Sequence, residues 1–267
     1  MDLAIDLSNP GTALSLPHIR YQLIRLEDTV LFHLIERAQF PLNQKIYVPG
    51  ALPLPSTALS FSDWVLREQE KLQSQIRRFQ SPDEHPFFED AMQELILPPL
   101  NYPRILWENN VNVNKELKAR YVQSMLPGCC KQPAREERAR DAQENYGSAA
   151  TADVNCLQSL SRRVHFGKFV AESKFLSSPD SFVPLIKSGD RKAIDAAITD
   201  PAVEQKVLER LRMKAEMYGG DPNLNPDAPH KIDVEGVVAI YRDHVIPLTK
   251  VVEVEYLLQR LRGTRWE

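Results

Sequence analysis

From Thr151 to Leu176 the chain reads TADVNCLQSLSRRVHFGKFVAESKFL. This is its longest uninterrupted helical pattern, and it decides the fold class. The same pattern recurs outward in both directions. Ile19, Leu23, Leu26, Val30 and Leu34 fall at steps of three and four, one face of an amphipathic helix. Residues 61–79 repeat it with Trp64, Leu72 and Ile76, and charged residues fill the other face. Ser81-Pro82-Asp83-Glu84 has the form of a helix start, with proline at the first helical position and Glu84 completing a capping box. Asp200-Pro201 is a second start, for a helix running to about Tyr218 and stopped by Gly219-Gly220. A last helix is expected over residues 233–261, kinked or divided by Pro247. Residues 41–60, 126–146 and 219–230 are rich in proline, glycine or charge and read as surface connections. Strand alternation, internal repeats and low-complexity segments are absent. The expectation is one all-α domain over residues 1–267, a bundle of long helices, with 263–267 as a frayed tail.

Composition narrows the function. The 267 residues are 43% hydrophobic, enough for a sizeable core, and the formal net charge is −3. A duplex-binding protein shows a basic excess, so nucleic acid is not the expected partner. Ten glycines are few for a turn-rich β-protein or a phosphate loop, and the twenty prolines must sit in connections or at helix starts. Cys129, Cys130 and Cys156 form no Cys-x-x-Cys pair and cannot complete a disulfide framework, so reduced cytosolic thiols are expected. Asp2 and Asp6 lie where a targeting peptide needs bases, and no apolar run approaches the length of a membrane span. The expected location is the cytoplasm, with no membrane partner. The six histidines show no metal-ligand spacing, and no P-loop, nucleophile elbow or activated thiol is present. No metal and no cofactor is expected.

Four constellations remain. Arg163 and Lys174 are eleven residues apart, near three turns, and on one helix would point the same way. Among Phe166 and Val170 they can grip an anion; the alternative is a solvated basic face with Glu172 nearby. Asp200 and Glu204 lie one turn apart at a helix N-terminus, which ordinary capping also explains. Thr249 and Glu253 are one turn apart after Pro247, and the alternative there is a polar stripe. Arg20 follows Ile19 and says nothing alone.

Taken together these segments resemble the fungal type of allosteric chorismate mutase, from about residue 8 to 261. The strongest block is residues 153–175, with CLQSLSRR from Cys156 and the Ser161–Lys174 run. Further blocks are Ile76-Arg77-Arg78-Phe79, Ser81-Pro82-Asp83-Glu84, Pro86-Phe87-Phe88, Asn101-Tyr102-Pro103, Ile246-Pro247-Leu248-Thr249-Lys250 and VEVEYLL from Val252. The resemblance implies an isomerase that turns chorismate into prephenate toward phenylalanine and tyrosine, with its pocket inside a helical bundle. By the same resemblance Arg20 and Arg163 hold the two substrate carboxylates, for which arginine's permanent planar charge is suited. Lys174 and Glu253 meet the ether oxygen, Glu204 accepts from the ring hydroxyl, and Thr249 helps fix a carboxylate. Asp200 stands where the best-known fungal pattern has asparagine.

The rearrangement is pericyclic and internal to one molecule, which agrees with the missing nucleophile, metal and cofactor motifs. A protein can supply confinement and charges placed at the ether oxygen. Glu253 must then be protonated, since a carboxylate would repel that oxygen. The resemblance further implies a homodimer inhibited by tyrosine and activated by tryptophan, bound by Arg77, Arg78, Asn145, Gly147, Ser148 and Thr151. Asp233 stands where the family's switch threonine precedes the last helix. The competing readings are an unregulated mutase, an inactive binding homologue and a helical adaptor using Arg162-Arg163. The retained Arg77, Gly147, Ser148 and Thr151 argue against the first. The intact Arg20, Arg163, Lys174, Glu204 and Glu253 argue against the second, and the near-neutral charge against the third.

Overall fold

A computed structural model describes residues 5–55, 57–130, 142–220 and 230–267, and among these it is helical with no strand. The first elements are α1 (Pro10–Ala13) and α2 (Leu16–Arg37), a long helix that buries Ile19, Leu26, Val30 and Leu34 as the periodicity requires. Then comes α3 (Phe61–Gln75), capped by Ser60, whose hydroxyl oxygen accepts from the Asp63 amide. It stops short of the expected residue 79. Leu72 and Ile76 are exposed rather than part of a buried face.

Ser81–Glu84 does not start a helix. Its carboxylates are engaged by side chains instead: Asp83 accepts from Arg162 and from Ser81 within the segment, and Glu84 pairs with Arg78 at 3.1 Å. The segment after it is tied to α3 by Glu70, whose buried carboxylate accepts from the Phe87 and Phe88 amides at 2.8 and 2.9 Å. Burial raises the pKa of Glu70 to about 7.

Next are α4 (Asn114–Arg120), a π-helical turn (Tyr121–Met125) and α5 (Leu126–Cys129). Of the expected connection 126–146, residues 131–141 lie outside the described residues, as do 221–229 of the connection 219–230. The central pattern forms two helices, α6 (Tyr146–His165) and α7 (Gly167–Ser177), not one. At the junction the Phe169 amide bonds the Phe166 carbonyl, a tighter i−3 turn, and the Phe166 and Phe169 rings stack 4.5 Å apart in the core.

Two short helices that the periodicity did not separate follow: α8 (Pro179–Ser188) and α9 (Arg191–Ile198). The start at Asp200 is correct. Its carboxylate accepts from the Ala202 and Val203 amides and caps α10 (Pro201–Gly219). Pro247 divides the last helix into α11 (Val234–Ile240), a π-helical turn (Tyr241–Val245) and α12 (Ile246–Gln259). Residues 263–267 form turns, and Trp266 packs edge-on against Phe175.

The core lies where α2 packs along α6, and α12 packs on α6, α7 and α9. A fully buried ion pair crosses it. Arg37 donates to Asp153 at 2.6 Å, and the Tyr47 and Tyr121 hydroxyls donate to the same carboxylate at 2.5 and 2.7 Å.

Candidate active site

Arg163, on the last turn of α6, is only 5% exposed, so the solvated basic face is excluded. Its Nε and Nη1 meet no acceptor among the described residues. A buried guanidinium without acceptors is costly in isolation, and an anion is the natural partner. The Tyr241 hydroxyl, in the π turn before α12, is also buried without a partner, and Arg163 is close enough to act on it.

Lys174 reaches the same region from α7, a separate helix, so the one-helix reading of the Arg163–Lys174 pair is corrected. Its ammonium donates to the Ile198 carbonyl at 2.5 Å and lies 3.4 Å from Glu253 Oε2 on α12. Glu172, expected near these cations, is engaged instead by Arg260 and Tyr256, each at 2.6 Å. Glu253 is buried, and desolvation raises its pKa to about 7 against the opposing charges of Lys174, Arg163 and Lys250. Thr249, one turn earlier, donates to the Val245 carbonyl at 2.7 Å.

The start of α10 supplies Asp200, which is exposed and caps the helix, and Glu204, whose carboxylate meets Lys250 at 2.6 Å. Arg20 sits exposed near the start of α2 and joins no ion pair among the described residues. The structure thus joins Lys174 to Glu253 and Glu204 to Lys250, sets Arg163 beside Glu253, and gives Arg20 no ion pair among the described residues.

The sequence reading missed Glu27, Lys250 and Tyr241. Glu27 is fully buried and held by Arg210 at 2.7 Å and Lys214 at 3.4 Å. It had a signal: it falls on the apolar stripe between Leu23 and Val30, where a carboxylate needs a reason.

Four of the six residues expected to bind an effector divide between two cavities that share His33 and Asn155. Gly147, Ser148 and Thr151 line one of about 540 Å³ with Glu36 and Phe40. Arg78 lines the other, about 140 Å³, with Arg162 and Gln158. Arg77 lines neither and donates to the Pro98 carbonyl at 3.0 Å from a left-handed backbone at φ 71°. Gly147 and Ser148 lie inside the first turn of α6, and Asn145 immediately precedes that helix. The Thr151 hydroxyl bonds back to the Gly147 carbonyl at 2.9 Å. Asp233 caps α11 by accepting from the Gly236 amide, a role open to threonine as well.

Residues 145–254 match the family model described as chorismate mutase type II. The chain is 61% identical to the chorismate mutase of Emericella nidulans, with 100% of both chains covered. It is 48% identical to that of Saccharomyces cerevisiae, covering 96% of this chain and 99% of the yeast one. Among solved structures, Candida albicans chorismate mutase in complex with L-Trp superposes with a TM-score of 0.90 at 46% identity, covering 97% and 96% of the two chains. AtCM1 with tyrosine bound in its allosteric site gives a TM-score of 0.83 at 39% identity, covering 95% and 99% of the two chains. With full-length identity at this level and the same helical fold, the chain belongs to the chorismate mutase family.

Proposed function

We propose that the rearrangement of chorismate to prephenate takes place between α6, α7, α10 and α12, with Arg163, Lys174 and Glu253 at its centre. The observation that carries this reading is a buried arginine with unmatched donors beside a lysine–glutamate pair whose acid is pushed up to about 7. Arg163 binds one substrate carboxylate, and Arg20 closes on the other. Thr249 assists a carboxylate. Asp200 and Glu204 face the ring hydroxyl, which donates a hydrogen bond to the Glu204 carboxylate.

In the transition state the ether C–O bond breaks as the new C–C bond forms, and no proton is gained or lost overall. Negative charge grows on the ether oxygen. The Lys174 ammonium and the protonated Glu253 carboxyl donate to it, where burial makes such donors more effective than water. Holding the flexible substrate in a compact chair supplies the rest.

The reading extends to regulation. Tyrosine inhibits and tryptophan activates, through the two cavities between α2 and α6, with Arg78, Gly147, Ser148 and Thr151 as contacts and Arg77 and Asn145 beside them. A homodimer fits the exposed apolar Leu72, Ile76, Ile96, Leu97 and Leu100, because the Ile96 amide bonds the Gln75 carbonyl and so sets that segment against the end of α3. The chain acts as one domain, in the cytoplasm; no helix among the described residues is long and apolar enough to cross a membrane.

The test is chorismate consumption, followed by ultraviolet absorbance, with and without tyrosine. Conversion to prephenate, suppressed by tyrosine and restored by tryptophan, is expected. Conversion insensitive to both would discard the regulatory reading and keep the enzyme.

A further inference from the structure

Gly167 opens α7 directly after the junction at Phe166, and it lies against α12. A Cβ placed there would stand 3.0 Å from the Thr249 carbonyl oxygen, 3.1 Å from Thr249 Cγ2 and 3.2 Å from Glu253 Cγ. The first of these neighbours is backbone, which cannot swing aside as a side-chain tip can. Gly167 is not among the glycines with positive φ, so its backbone angles do not require glycine. Glycine also weakens a helix. Close approach of α12 is the physical reason that remains.

The same face of α7 continues with Ala171, fully buried, and Lys174, which meets Glu253. Elsewhere on the helix pair, Glu172 accepts from Tyr256 Oη and Arg260 Nε at 2.6 Å and from Arg260 Nη2 at 2.9 Å. That clamp fixes how far α12 slides along α7. Beside Thr249 and Glu253, it is Gly167 that α12 packs against.

We infer that Gly167 is a positioning residue for the reaction: its missing side chain sets the α7–α12 separation at which Thr249 and Glu253 work beside Lys174. The inference rests on the roles proposed above for Thr249 and Glu253. Gly167 itself touches no substrate and acts through them.

Gly167→Ala pushes α12 away by a few tenths of an ångström. The expected result is a loss of about tenfold in kcat/KM, mainly in kcat, because Arg163 on α6 still binds substrate. The alkaline limb of the pH–rate profile moves upward, since Glu253 is drawn away from the cation that opposes its neutral form. Thr249→Ser removes the Cγ2 that the new Cβ meets and keeps the hydroxyl. The Thr249 carbonyl oxygen and Glu253 Cγ still face the new Cβ, so in that background Gly167→Ala is expected to recover only in part, to a loss of about fivefold relative to Thr249→Ser alone. If Gly167→Ala alone does not fold, the double variant, with one of the three close contacts gone, is expected to be the more stable of the two and carries the measurement. Circular dichroism and Tm separate folding from activity.

Two results would overturn the inference: a folded Gly167→Ala with kcat/KM within about twofold and an unmoved pH limb; or a folded double variant with no loss relative to Thr249→Ser alone, since the carbonyl contact is still present there. Glu253→Gln, measured beside them, keeps the two readings apart. If it leaves the pH profile unchanged, the site reading fails and not the spacing argument alone.

Discussion

A carboxylic acid buried beside a lysine feels two opposed influences, and at Glu253 burial wins. Loss of hydration raises its pKa from 4.5 to about 7, although Lys174, Arg163 and Lys250 all favour the charged form. Between those values the folded chain holds a proton that the unfolded chain has released. This contribution to stability is therefore complete below pH 4.5 and lost as pH rises through about 7. Across that window the Tm of Glu253→Gln is expected to fall less than that of the unaltered protein; parallel curves would contradict the assignment. For Lys174, removal of a donor aimed at developing charge should lower kcat/KM by about 10²–10³ in Lys174→Ala. A folded variant losing less than about tenfold would take Lys174 out of that role. Little of this was legible from spacing. Lys174 and Glu253 are 79 residues apart in sequence, and only the packing of α12 on α7 unites them. The family resemblance singled out both residues, but the burial of Arg163 and the separation of its helix from that of Lys174 come from tertiary structure.

Helix ends and prolines govern the elements. Both π-helical turns stand immediately before a helix whose second residue is proline, Leu126-Pro127 and Ile246-Pro247. Proline lacks an amide hydrogen and crowds the carbonyl four residues back, and a widened turn relieves both problems without ending the helix. Pro247 thus announced a division, but not its form. Asp200 shows a local signal obeyed, because no other group among the described residues competes for its capping carboxylate. Ser81–Glu84 shows one overruled, because Arg162 and Arg78 draw off the carboxylates that a helix start would use. The break at Phe166 had no proline to mark it. Among contacts between elements, Arg37–Asp153 joins α2 to α6 with both side chains fully buried. Asp153→Asn leaves the guanidinium uncompensated and is expected to cost about 3–5 kcal/mol in chemical denaturation. A cost under about 1 kcal/mol would show that the carbonyls of Phe40, Pro41 and Leu42 suffice for Arg37.

Across the whole molecule, α2 and α6 connect the two proposed sites. Helix α6 carries Gly147 and Ser148 on its first turn and Arg163 on its last. Its 20 residues span about 30 Å. Helix α2 carries Arg20 near one end, the buried Glu27 midway, and His33 and Glu36, which line the larger cavity, toward the other end. An effector held at the cavities can act on catalysis only by binding two arrangements of this helix pair unequally. Arg78→Ala is therefore expected to raise the tyrosine concentration for half-inhibition about tenfold, relative to its own uninhibited rate. An unchanged value would detach Arg78 from regulation.

The most direct test of the site is the pH dependence of chorismate consumption by the unaltered protein and by Glu253→Gln. With a protonated Glu253 required at the ether oxygen, kcat/KM of the unaltered protein falls as pH rises through about 7, and the glutamine variant, a donor at every pH, gives a flat profile. An alkaline limb of the same position in both proteins would contradict the claim that Glu253 donates to that oxygen.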